Sequence, residues 1–129
     1  MKPGSCLCGA VKFTVSGVLK APDACHCVQC RKFSGHFSVS TDVPRDTLSI
    51  VGSEHITWYF SSAKVRRGFG SICGSCLFFD PPAKDWIGIF MGAFDGNTNT
   101  QTELHIYTAE KGDYYSITDG LPSYPSVPG

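Results

Sequence analysis

Apolar and polar residues alternate along residues 9–17, with Val11, Phe13 and Val15 on one side and Lys12, Thr14 and Ser16 on the other. A period of two puts every second side chain on the same face of an extended chain, so this segment is expected to be a half-buried strand. Short runs rich in β-branched and aromatic residues predict further strands at residues 36–41, 47–51, 55–60, 64–69, 77–80, 86–94 and 103–108. Pro and Gly punctuate the gaps at Val43-Pro44, Pro81-Pro82, Gly96-Asn97 and Gly112-Asp113. No stretch keeps a 3.6-residue period long enough for a substantial helix, and only a short helical turn is expected, over residues 28–33. The pattern predicts a mainly β domain of short antiparallel strands. Residues 119–129 hold three of the eight prolines and are expected to lie extended over the surface.

Length and composition narrow this picture. A chain of 129 residues, 42% apolar and 17% charged, has the make-up of one folded domain spanning residues 1–129. The longest uncharged apolar run, residues 86–94, falls far short of the roughly 20 residues of a membrane span. The first ten residues, MKPGSCLCGA, have no apolar stretch of the secretory type, and a cytoplasmic protein is expected. Eleven basic residues balance eleven acidic ones, so the basic excess of a nucleic-acid binder is missing.

The seven cysteines carry the chemistry: Cys6, Cys8, Cys25, Cys27, Cys30, Cys73 and Cys76. An odd number cannot be fully paired within one chain. They also fall into tight clusters, C-x-C, C-x-C-x-x-C and C-x-x-C, whereas disulfides are most useful when they close long loops. Pinched spacing suits a metal, because two sulfurs must reach one ion at about 2.3 Å. A closed zinc site takes four protein ligands and a reactive one takes three. Cys6, Cys8, Cys73 and Cys76 therefore make a four-thiolate structural site, which leaves Cys25, Cys27 and Cys30 as a local tripod with one position free. Two zinc ions per chain are expected. The rival partition adds His26 to the tripod and closes it; a residue wedged between two ligands, however, usually turns its side chain away.

The motifs G-S-C-L-C-G-A-V-K-F at residues 4–13, C-H-C-V-Q-C-R-K-F-S-G at 25–35 and C-G-S-C at 73–76 resemble the glutathione-dependent formaldehyde-activating family. The ending H-I-Y-T-A-E-K-G-D-Y-Y-S-I-T-D-G-L-P at residues 105–122 is also similar to that family's. The resemblance implies a zinc-stapled β fold of the type found in a Rab-binding guanine-nucleotide-exchange chaperone and in a centromere protein. It implies the same zinc partition, and a carbon–sulfur lyase activity joining glutathione and formaldehyde to S-hydroxymethylglutathione. The family tends to carry glycine after its last paired cysteine, where the backbone turns left-handed. Here that position is Leu77.

A thiol entering the free position of the tripod would bind as thiolate, the form that attacks an aldehyde. Arg31 and Lys32 are candidates to hold the carboxylates of a peptide-like thiol, against the plainer reading of a solvated basic pair. Ser34 is a candidate donor to a developing oxyanion, against an ordinary turn. Phe33 and Phe37 either wall a pocket or pack in the core. His36, His55 and His105 read as hydrogen-bonded strand residues, and Arg66-Arg67 as a surface pair. Two further function classes remain open: a non-catalytic zinc module that binds another protein, and a redox or zinc sensor.

Overall fold

In a computed structural model describing residues 1–128, ten short strands form two sheets. The smaller has the order β1-β2-β5, from β1 (Lys2–Ser5), β2 (Lys12–Val15) and β5 (Leu48–Val51), all antiparallel. The larger has seven strands, from β3 (Asp23–Cys25), β4 (Ser38–Pro44), β6 (Ile56–Phe60), β7 (Arg66–Gly70), β8 (Cys76–Asp80), β9 (Trp86–Phe90) and β10 (Leu104–Ile106). Their order is β10-β3-β4-β9-β8-β7-β6, with the helix α1 (Val28–Ser34) between β3 and β4 in sequence. Among the described residues no helix is long and apolar enough to cross a membrane.

The alternation in residues 9–17 does what a period of two demands. Val11, Phe13 and Val15 are buried, and Lys12 and Ser16 face solvent. Phe13 couples the sheets, standing edge-on to Phe78 of β8 at 5.6 Å and to Phe94 at 5.5 Å. Gly4, its cross-strand neighbour in β1, must lack a side chain, since a Cβ there would overlap the Phe13 ring. Leu77, Phe78 and Ile89 are fully buried beside it, so the core lies between the small sheet and the middle of the large one.

Three features depart from the sequence expectation. β1 and β3 were not foreseen: β1 carries Pro3 and Gly4, and β3 has only three residues, so neither shows a period. β3 and β10 pair in parallel, Ala24 opposite His105, through a pairing across some eighty residues that local patterning does not encode. The expected strand at 86–94 ends at Phe90, where Met91–Ala93 forms a 3-10 turn. Of the proline-rich tail expected to lie extended, residues 119–128 are irregular with a bend over 125–127, and residue 129 lies outside the described residues. The tail runs beside β10, the Tyr124 N–H donating to the His105 carbonyl and the Tyr107 N–H to that of Ser126.

Candidate metal centres and the cavity between strands and helix

Cys25, Cys27 and Cys30 come from three consecutive local environments. Cys25 ends β3, Cys27 is the N-cap of α1 and Cys30 is the buried residue of that helix's first turn. The Cys27 sulfur accepts the Cys30 N–H at 3.3 Å, the role an oxygen plays in ordinary capping. The three sulfurs lie within 4.8 Å of one another. A tetrahedral zinc at about 2.3 Å from each sulfur spaces its sulfurs roughly 3.8 Å apart, so the trio fits that ion. Hydrogen bonds with the Cys25 and Cys30 thiols, and the nearby Arg67 guanidinium, hold the Cys27 thiol far below its usual range. The same contact with Cys27 pushes Cys25 up.

His26 stays out of this group. Its ring is fully buried, with Nδ1 paired to the Tyr115 hydroxyl at 2.5 Å and Nε2 to His105 Nδ1 at 2.8 Å. His105 Nε2 in turn pairs with Asp119 at 2.8 Å. Burial first, then the neighbouring His105, lowers the His26 pKa to about 4, so the ring is neutral at pH 7. The residue wedged between two cysteines therefore braces the loop from behind and ties it to the C-terminal segment.

All three sulfur-bearing residues line a cavity of about 640 Å³. Its walls include the carboxylates of Asp23, Asp42 and Glu110, with Phe79 and Trp86 stacked at 6.2 Å as an apolar side. Glu110 accepts the Val28 N–H, the first backbone donor of α1, at 3.0 Å. Desolvation raises the carboxyl pKa of Asp23 and of Asp42.

The principal cation of this cavity is a residue the sequence reading placed on the surface. Arg67 is 3% exposed, and its two terminal nitrogens approach the Cys30 sulfur at 3.6 and 3.7 Å. It also donates to the Gln29 side-chain carbonyl and to Ser61 Oγ. Arg66 points the other way, donating to Asp80 at 2.8 Å and lying 3.9 Å from the Trp58 ring centre. The signal was present: adjacent residues of a strand face opposite sides, so a basic pair inside a buried sheet must turn one member inward.

Arg31, Lys32 and Ser34 do not line this cavity. Lys32 is solvent-exposed and lines a separate, neighbouring pocket with Val28, Gln29 and Arg67. The Ser34 hydroxyl donates to the Cys30 carbonyl at 2.8 Å and accepts the His36 N–H at 3.3 Å, which closes the helix end. Phe33 packs on Phe90 at 5.4 Å and Phe37 on His26 at 4.6 Å, both as packing residues.

The second cluster brings together Cys6, Cys8 and Cys73, again within 4.8 Å, with the first two sulfurs 3.6 Å apart. Two knuckles build it. In one, the Gly9 N–H donates to the Cys6 carbonyl and the Val11 N–H to the Cys6 sulfur. In the other, the Gly74 N–H donates to the Gly70 carbonyl. The Leu7 N–H joins them by donating to Ser75 Oγ at 2.9 Å. The Ser75 hydroxyl, as a hydrogen-bond partner, lowers the Cys73 thiol to about 6. Cys76, expected as the fourth ligand, is not in this trio; its thiol donates to the Phe33 carbonyl at 3.4 Å. Burial pushes that thiol up.

The family described as glutathione-dependent formaldehyde-activating enzyme matches residues 1–110. A Halomonas elongata protein named "Putative glutathione-dependent formaldehyde-activating enzyme" is 32% identical over 124 residues, covering 88% of this chain and 79% of that protein. The crystal structure of a Rhodobacter sphaeroides protein superposes with a TM-score of 0.60 at 22% identity, over 78% of this chain and 98% of the other, and so shares the fold. With its cysteine clusters assembled on a mainly β scaffold and the family match running from the first residue to Glu110, this chain belongs to the glutathione-dependent formaldehyde-activating family.

Proposed function

We propose that the protein is a carbon–sulfur lyase that makes and breaks the bond between a thiol and a small aldehyde, with glutathione and formaldehyde as the pair. In the forward direction the thiol sulfur bonds to the carbonyl carbon, the carbonyl oxygen takes a proton, and S-hydroxymethylglutathione results. The observation that carries this reading is that Cys25, Cys27 and Cys30 converge on one point and open onto the cavity. A zinc ion on these three sulfurs would supply the charge at which an incoming thiol gives up its proton.

The chain's own residues do the rest. Three thiolates outweigh one divalent ion, and the Arg67 guanidinium offsets the excess negative charge from within the fold. Trp86 and Phe79 narrow the cavity and displace water from the reacting carbonyl. Asp42, whose carboxyl is raised by burial, is the wall group best matched to exchange a proton with the carbonyl oxygen. The carboxylate walls leave the carboxylates of glutathione at the mouth, with the thiol end innermost.

A non-catalytic zinc module requires the free position to be shut off from solvent, and the cavity beside the tripod favours the enzymatic reading over it. Thiolate chemistry of this kind belongs in a reducing compartment, which supports a cytoplasmic location. The test is exchange spectroscopy on the formaldehyde–glutathione adduct. Zinc-loaded protein is expected to accelerate exchange over the uncatalysed rate, and Cys27→Ser to abolish the acceleration; equal rates in the two would refute the assignment.

A further inference from the structure

The second cysteine cluster does not match the closed four-thiolate set expected of it. Three sulfurs gather, from Cys6, Cys8 and Cys73, and the thiol of Cys76 is committed to the Phe33 carbonyl at the end of α1. Cys76 opens β8 opposite Phe69, at a bulge that leaves the fully buried Leu77 unpaired, and its sulfur is held toward the end of α1 by the Phe33 carbonyl.

Position 70 lies where a fourth ligand would be. Gly70 ends β7, is buried and has an ordinary backbone angle, so a side chain is allowed there on conformational grounds. A Cβ built on it would lie 3.1 Å from the Cys73 sulfur and 3.5 Å from the Cys6 Cβ. A thiol on that carbon would project into the trio, with the Cys73 side chain giving way by a few tenths of an ångström. The turn geometry agrees. The Gly70 N–H donates to the Ser75 carbonyl and the Gly74 N–H to the Gly70 carbonyl, so residues 70–75 close as one loop around Cys73. The left-handed glycine of each knuckle directly follows a gathered cysteine: Gly9 after Cys8 at φ +81°, and Gly74 after Cys73 at φ +75°. Cys76 has no such follower. The second knuckle thus spans positions 70 and 73, and its first corner carries no side chain.

We propose that this cluster is a three-thiolate metal site, with Cys6, Cys8 and Cys73 as its protein ligands, whose fourth position at the bare corner of Gly70 is filled from solution by water or an external thiol. Cys76 is not a ligand. Solvent reaches the cluster, since Leu7 is 89% exposed and Cys8 is an exposed residue. The neighbouring Ser75 hydroxyl is held by the Leu7 N–H and by Cys73, and serves as a knuckle tie. Among the described residues the chain then holds two open soft-metal sites, of zinc type, and no closed one.

Cadmium-113 resonance on the full-length chain loaded with cadmium tests this, because the shift reports the number of thiolates on each ion. Two resonances are expected, the tripod's being the one lost in Cys27→Ser. The other is expected in the three-thiolate range, to be lost in Cys73→Ser, and to stay in place in Cys76→Ser and Ser75→Ala. In Gly70→Cys it is expected to move to the four-thiolate range, with release of that metal to a chelator slowed about tenfold or more. A four-thiolate resonance in the wild-type chain, a loss confined to Cys76→Ser, no change in Gly70→Cys, or no metal at this cluster would each overturn the proposal. Gly70→Cys adds a ligand and removes none, so its outcome stands even where a serine variant folds poorly.

Discussion

Arg67 of β7 holds its guanidinium against the sulfur of Cys30, with both terminal nitrogens within 3.7 Å, although 37 residues separate the two in sequence. The rings of Phe33 and Phe79 flank the same guanidinium at 5.5 and 5.3 Å and keep water from it. A buried positive charge of this kind balances sulfurs that must lose their protons to bind a metal. Arg67→Met is expected to weaken metal binding at the tripod by about ten- to a hundredfold, as loss of a supporting contact typically does. Competition with a coloured chelator measures it. The second cluster, which Arg67 does not touch, should keep its metal.

Asp80 is the anchor of the large sheet. It is 1% exposed and receives Arg45 Nη2 and Arg66 Nε, each at 2.8 Å. Both arginines are about one-third exposed, so their charges are partly screened once freed, and the cost falls below that of a wholly buried pair. Asp80→Ala is expected to lower stability by about 2–3 kcal/mol, chiefly by leaving two guanidinium groups without their buried acceptor. Urea denaturation of the metal-loaded chain checks it.

Tyr115 supports the tripod loop from behind through His26. Tyr115→Phe keeps the ring stacking but leaves a buried imidazole nitrogen without a partner, a cost of about 1–3 kcal/mol. Because His26 sits between Cys25 and Cys27, the variant should also release tripod metal to a chelator faster than wild type. A purely global loss of stability would speed release from both clusters alike, and the comparison separates the two causes.

Burial raises the carboxyl of Asp42 above its ordinary value. Between that ordinary value and the raised one, the folded chain binds the proton and the unfolded chain does not, so stability falls as pH rises through this window. The charged group is then a standing burden at neutral pH. Asp42→Asn is expected to melt higher than wild type at pH 7, with the advantage fading in acid below the unfolded carboxylate value. Thermal melts across pH 3–7 decide it, a constant difference at every pH being the contrary result. The same variant is expected to slow turnover if Asp42 exchanges a proton with the carbonyl oxygen.

What could be read from the chain beforehand follows from how local each signal is. The tripod lies within six residues, and its helix and cap come from those same residues, so spacing alone located it. The strand at Val11, Phe13 and Val15 was legible for the same reason. Arg67 was misplaced because its partner is set by β7 packing beside α1, which no local pattern records. Cys76 was grouped with Cys73 because C-x-x-C is the usual metal spacing, whereas the contact that holds its sulfur, the Phe33 carbonyl 43 residues away, leaves no trace in local spacing. The substrate contacts suggested at Arg31, Lys32 and Ser34 rested on nearness in sequence, and none of the three is among the residues that line the cavity.

The central claim is that Cys25, Cys27 and Cys30 seat a metal which takes up a thiol as thiolate, and proton release on glutathione binding measures that event most directly. Calorimetry of the zinc-loaded chain at pH 7, in buffers of different ionisation enthalpy, counts the protons. Because a free thiol is mostly protonated at this pH, uptake as thiolate frees close to one proton for each thiol bound. The account predicts that wild type releases about one more proton per chain than Cys27→Ser, whatever the other cluster contributes to both. Equal release from the two proteins would contradict it.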